Sequence, residues 1–248
     1  MNQRASAGRT ISDLRPLSIE THVNRYAEGS ALIKAGNTHV LCTASIEESV
    51  PAWLAGQGKG WMSAEYSMLP RATHTRSKRD REKVSGRTQE IQRLIGRALR
   101  SMIHLKQLGE RTVIVDCDVL QADGGTRTAS ITGGCVALAL ALGKLAEAGK
   151  IPRSTWTDTV AAISIGIKNG EILVDLDYEE DSSAEVDMNF VITGTQQQFI
   201  EVQGTAEKKP FSPSDLTHMS QAALKATQQL RELQLQALNR ANCILLTP

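Results

Sequence analysis

The chain has 248 residues, enough for one large domain or two intimately packed ones. Apolar residues make up 41%, which excludes a disordered chain, and 28 Lys and Arg against 27 Asp and Glu leave a net charge that points to no partner by itself. The four cysteines, Cys42, Cys117, Cys135 and Cys243, form no C-x-x-C pair, which disfavours a structural zinc site or a disulfide framework and favours buried free thiols.

In chain order, the opening "MNQRASAGRTISDLRP" lacks the apolar stretch of a signal peptide. Residues 30–50 ("SALIKAGNTHVLCTASI") read as a hairpin turning at Gly36-Asn37, and 61–69 ("WMSAEYSML") as a strand. Ile91, Leu94, Ile95, Ala98, Leu99, Met102 and Ile103 share one helical face, which predicts a helix over 88–108. "TVIVDCDVL" (112–120) predicts a buried strand. A glycine turn follows, then a helix over 127–148 with an apolar stripe of Ile131, Cys135, Leu138, Ala139 and Leu142. "IPRSTW" (151–156) reads as a connection. Beyond it come a second hairpin over 160–178, strands at 187–194 and 198–203, and a helix over 214–239. Each half thus reads as hairpin, strands and helix, a hint of two related units without a detectable repeat. The longest apolar run, Cys135 to Leu142, is too short to span a bilayer, so the expectation is a soluble cytoplasmic protein with no membrane partner.

The near-neutral total hides two opposite segments. Residues 71–100 hold ten Lys and Arg against three acids, and residues 171–187 hold eight acids and no Lys or Arg. Arg71, Arg76, Arg79 and Arg81 lie where no apolar period exists, which predicts a surface loop, either a grip on a polyanion such as RNA or a solvated charged loop. Arg87, in "SGRTQEIQR", stands just before a helix N-terminus, where free N–H groups and the dipole favour an anion; pairing with Glu90 is the alternative.

"DVLQADGGTRTASITGG" places a double glycine between a buried strand and a helix. That arrangement suits phosphate: glycine lets the backbone approach closely, Thr126 adds a hydroxyl and Arg127 a guanidinium. It has neither Walker A nor G-x-G-x-x-G spacing, which disfavours a P-loop or a dinucleotide site. The alternative is a helix cap by Thr126 or Thr128. In the acidic segment, Asp181 is expected on a loop and Asp187 at the start of the next strand. Carboxylates gathered there suit Mg²⁺ or general-acid work, against the alternative of a solvated acidic loop. Asp177 is a further candidate, and the five isolated histidines support no zinc site.

Six blocks, "YAEGSALIKAGNTHVLCTASIEE", "KGWMSAEYSMLPRATHTR", "GRTQEIQRLIGRALR", "DCDVLQADGGTRTASITGG", "LDYEEDSSAEVDMNFVITG" and "IEVQGTAE", resemble in order the bacterial ribonuclease PH family over about residues 9–225. The resemblance implies an α+β fold of two β-α-β units, like the second domain of ribosomal protein S5. These would form one RNase PH domain over 1–248, with sub-units of about 10–150 and 157–240. It implies a phosphate-dependent 3′→5′ exoribonuclease that trims tRNA 3′ ends, and a homohexameric ring of three dimers. It assigns inorganic phosphate to Arg87 and to Gly125, Thr126 and Arg127. By likeness to polynucleotide phosphorylases it assigns catalysis and Mg²⁺ to Asp181 and Asp187, with Asn189 standing where those relatives have an aspartate. Two other readings stay open: a non-catalytic RNA-binding ring subunit and a metal-dependent hydrolytic nuclease.

Overall fold

The computed structural model describes residue 4 and residues 8–79 and 84–246. The first half is a five-stranded sheet built from β1 (Leu17–Thr21), β2 (Gly29–Ala35), β3 (Thr38–Glu47), β4 (Trp61–Met68) and β5 (Thr112–Gln121), in the order β1-β2-β3-β5-β4. Neighbours are antiparallel except β4 and β5, which run parallel and are joined by a crossover carrying α1 (Gly86–Arg100) and α2 (Leu105–Leu108). After β5 the chain enters α3 (Thr126–Glu147). The second half is a four-stranded antiparallel sheet, β7-β6-β8-β9, from β6 (Val160–Lys168), β7 (Glu171–Val174), β8 (Val186–Thr193) and β9 (Phe199–Ala206). It also carries the short α4 (Tyr178–Ser183) and the long α5 (Pro213–Arg240).

The core explains the patterning. α3 packs against β2, β3 and β6 and touches α1 and α5, so it is covered nearly all round. A helix in that position is apolar on every side, and the stripe read from the sequence is only part of its buried surface. By length and composition α3 could cross a bilayer, yet 89% of its most apolar window is buried inside the protein, as befits a core helix. β6 lies between α3 and α5, which is why "VAAISIGI" is apolar without alternation. Gln234, fully buried on α5, donates to the carbonyls of Thr132 and Val160 at 2.9 and 2.8 Å and so ties helix to helix to strand. All four cysteines are buried and free.

Three expectations need correction. The helix expected over 88–108 ends at Arg100. Met102 and Ile103 are buried as the periodicity requires, but Ile103 forms an isolated bridge with Trp156, and Thr157 N donates to Met102 O. The acidic segment is not all loop: α4 holds Asp181 within a helix, started by a capping box between Asp177 and Glu180. β1, an edge strand of five residues, was not expected. Smaller shifts place Arg87 in the first turn of α1 and Asp187 second in β8.

Candidate active site

A cleft of about 570 Å³ opens where the β5–α3 turn meets α4 and β8. Its walls include Arg87, Gly125, Thr126, Arg127, Asp181 and Asp187, so six residues singled out from three separate stretches of sequence face one space.

The turn lines the cleft with bare backbone. Gly124 and Gly125 have φ of 73° and 65°, a left-handed conformation that a side chain strains. Gly124 also lies against the start of α4, where a Cβ would come within 2.6 Å of Leu176 O and 2.9 Å of Tyr178 N. The residue before α3 is therefore Gly125, and no side chain caps this helix. Thr128 bonds back to Gly125 O, and Thr126 Oγ1 lies 2.8 Å from the Tyr66 hydroxyl, so neither threonine takes the capping role. The positive end of a 22-residue helix thus faces the cleft through its own N–H groups.

Two arginines flank it. Arg87, exposed, stands in the first turn of α1, whose cap is Ser85. Glu90 reaches Arg127 rather than Arg87: its carboxylate lies 3.5 Å from Arg127 Nη1, which also donates to Gln203 Oε1 at 3.5 Å. Both contacts are long enough for a better acceptor to compete.

Across the cleft stand the carboxylates. Burial pushes Asp181 above the usual aspartate range, with Arg127 and then Arg87 pulling it back. Burial pushes Asp187 further, to about 6, with the like charge of Asp181 adding to the rise and Arg127 opposing it. Asp187 is thus poised near neutrality. Asp175, Asp177 and Glu180 are spent on structure. Asp175 is gripped by Arg15, and Asp177 caps α4 and lies 3.7 Å from Arg9. Asp177 is thereby bound into the fold and does not line the cleft.

Reading the sequence missed Tyr66, Ser164, Tyr178 and Lys208. Tyr66 carried a signal, a polar-tipped aromatic on the buried face of an alternating strand. Burial holds its phenol above the usual range, so it stays a neutral hydroxyl against Thr126. Lys208 bonds Ser183 O at 2.7 Å and adds a cation at the aspartate side. Of the basic loop, Arg71, Arg76 and Arg79 are exposed, and Arg79 shares a neighbouring groove of about 340 Å³ with Arg87; Arg81 lies outside the described residues. Among the described residues, no group of three or more His, Cys, Asp or Glu forms a metal cluster. Two carboxylates facing one cleft still fit Mg²⁺, which takes one or two of them and completes its shell with water and other oxygens.

Comparisons with known proteins bear on the fold and the family. A family model described as 3′ exoribonuclease family, domain 1, matches residues 13–142, and its domain 2 matches residues 158–226. The chain is 58% identical over 228 residues to ribonuclease PH of Methylocella silvestris, covering 91% of this chain and 96% of the relative. It is 56% identical over 234 residues to ribonuclease PH of Bacillus subtilis, covering 93% and 95%. Among solved structures it resembles rice (Oryza sativa) Rrp46, with a TM-score of 0.77 at 20% identity over 94% of this chain and 98% of that one. It also resembles the Archaeoglobus fulgidus exosome with RNA bound to the active site, with a TM-score of 0.76 at 20% identity over 93% and 92%.

Proposed function

The chain belongs to the 3′ exoribonuclease family and is a phosphorolytic 3′→5′ exoribonuclease; from that premise we propose that it trims the 3′ ends of tRNA precursors in the cytoplasm, as a homohexamer of three dimers. The observation that carries the chemistry is one cleft with two faces: Arg87, Arg127 and the uncapped α3 N-terminus on one side, Asp181 and Asp187 on the other. Four buried free thiols suit a reducing compartment.

Inorganic phosphate sits on the turn, held by the N–H groups at the start of α3, by Thr126 and by the forks of Arg87 and Arg127. The two arginines offset the repulsion between this anion and the terminal phosphodiester. Held in line, a phosphate oxygen attacks the phosphorus of the last nucleotide. The bond from phosphorus to the 3′-oxygen of the preceding nucleotide breaks. The products are a nucleoside 5′-diphosphate and an RNA one residue shorter, whose new 3′-oxygen takes up a proton. Asp187, raised to about 6 by burial and by Asp181, is placed to supply that proton. In the alternative role, with both carboxylates ionised, Asp181 and Asp187 would hold Mg²⁺, which when bound supplies positive charge for the transferring phosphoryl group and the leaving oxygen. Because one phosphate bond replaces another, the step runs nearly as well in reverse.

The test is product analysis on a tRNA precursor with phosphate varied. Nucleoside diphosphates should appear only with phosphate present. Monophosphates released at full rate without it would establish hydrolysis instead.

A further inference from the structure

Arg15 does not line the cleft, yet all three nitrogens of its guanidinium bond the two segments that build it. Its Nε and Nη2 grip Asp175 at 3.0 and 2.7 Å, and its backbone N–H adds a third bond to the same carboxylate at 2.8 Å. Its Nη1 donates to Asp123 O at 2.6 Å and reaches Gly124 O at 3.4 Å. Asp123 and Gly124 lead directly into Gly125-Thr126-Arg127, and Asp175 leads directly into α4 and Asp181. Asp175 itself sits at φ 57°, unusual for a residue with a side chain, with its N–H bonded to Ser164 O. Thr38 completes the junction: its hydroxyl donates to Gly124 O at 2.6 Å and accepts from Asp123 N at 2.9 Å. Glycines make room for it. A Cβ at Gly36 or at Gly125 would lie 2.9 Å from the Arg15 side chain.

We propose that Arg15, through its fork on Asp175 and its bond to the Asp123–Gly124 backbone, is a positioning residue that fixes the phosphate turn against the Asp181–Asp187 side of the cleft. This rests on reading the turn as the phosphate site and the aspartates as its reactive partners. A contribution to stability alone does not account for the arrangement. Both side chains of the pair are about 5% exposed, and a buried ion pair offsets its own desolvation so poorly that apolar packing would serve the fold as well. What apolar packing lacks is direction: a planar guanidinium aims fixed donors at two separate segments. Arg4 and Arg9 bond Glu180 and the carbonyls of the Val174–Asp175 stretch, so they brace the α4 side, while Arg15 bonds the turn as well.

The consequence is a split between binding and turnover. The turn keeps its own donors, so phosphate should still bind; attacker and aspartates lose their registration, and a displacement of about 1 Å costs on the order of 10²-fold in rate. Arg15→Lys keeps the charge and loses the fork. Steady-state kinetics on single-stranded RNA with phosphate varied should show kcat down about 30–100-fold with KM for phosphate within about 3-fold, in protein whose thermal unfolding lies above the assay temperature. Thr38→Val leaves the ion pair and removes one hydroxyl from the turn; the same split is expected at about 3–10-fold. Wild-type kcat in folded Arg15→Lys, or parallel loss of kcat and phosphate affinity, overturns the proposal. If Arg15→Lys does not fold, Thr38→Val decides, and wild-type kcat there overturns it. A wild-type enzyme that releases monophosphates without phosphate would overturn the underlying reading together with the clamp; a phosphate-dependent wild type with unaffected variants overturns the clamp alone.

Discussion

Asp187 carries opposite consequences for rate and for stability. Asp187→Asn keeps the shape and removes the charge, so kcat should fall on the order of 10²-fold or more with RNA affinity nearly unchanged. Partial recovery at raised Mg²⁺ would assign Asp187 to the metal rather than to the proton. The stability effect follows from linkage. The folded pKa of about 6 lies above the ordinary 3.8, so the stability this group adds is fully present below 3.8 and is lost as pH rises through about 6. In phosphate-free buffer, Asp187→Asn should therefore unfold at a higher temperature than the wild type at pH 7.5, and the gap should close toward pH 4. Calorimetry at the two pH values checks the sign; a variant less stable at pH 7.5 would show that Arg127 outweighs burial. At Arg127 the expectation concerns binding. Lysine cannot present two parallel donors, so Arg127→Lys should raise KM for phosphate about tenfold or more, measured by phosphate titration of the initial rate.

Elements meet at the glycine turn, where backbone lies on backbone. Gly124→Ala would force a Cβ against Leu176 O and the Asp177 carbonyl carbon, at 2.6 and 2.7 Å, in a residue already at φ 73°. Neither neighbour is a flexible side-chain end, so the turn and α4 must separate. Urea denaturation should show a loss of more than about 1 kcal/mol, and phosphate affinity should fall with it, because the start of α3 shifts. Gly125→Ala strains a left-handed position and meets side-chain ends of Arg15 and Thr128 rather than backbone. It should retain more stability than Gly124→Ala, and the order of the two urea midpoints tests the contrast.

Over the whole molecule, the proposed function assigns the cleft to the reacting end of the RNA and the exposed basic loop to its body. Arg71, Arg76 and Arg79 are exposed, and Arg79 shares a groove with Arg87. Neutralising them together with Arg81 should weaken tRNA binding and flatten its salt dependence, the logarithmic slope falling by about 0.7–0.9 for each phosphate left without its arginine. Cleavage of a short single-stranded substrate should change little. Native mass of the same variant separates two causes. A particle near six chains of 26.9 kDa with weakened tRNA binding assigns the loop to RNA, whereas dissociation into smaller species assigns it to the interface between subunits. Half-buried Leu32, Leu41, Ile114 and Leu120 lie on the face of the first sheet away from α3, a surface suited to burial between copies.

The sequence by itself determined most strands, the two long helices and the six residues that gather in the cleft. Those features are local. Periodicity marks the buried face of α1 and β5, a double glycine marks a left-handed turn, and unpaired blocks of like charge mark surfaces that meet the opposite sign. It also held a signal that went unread, since Asp177 and Glu180 spell the capping box that makes α4 a helix. What only the tertiary structure decided depends on partners distant in the chain. Met102 and Ile103 continue the helical period, but their backbone is taken by Trp156 and Thr157, so α1 stops at Arg100. The acids of one short run look alike until folding distributes them. Asp175, Asp177 and Glu180 find Arg15, Arg9 and Arg4 from a segment some 160 residues away, while Asp181 and Asp187 meet Arg87 and Arg127 across the cleft. A carboxylate's role is set by whether it is buried and by the charge it faces, and both are properties of neighbours in space that neighbours in sequence do not specify.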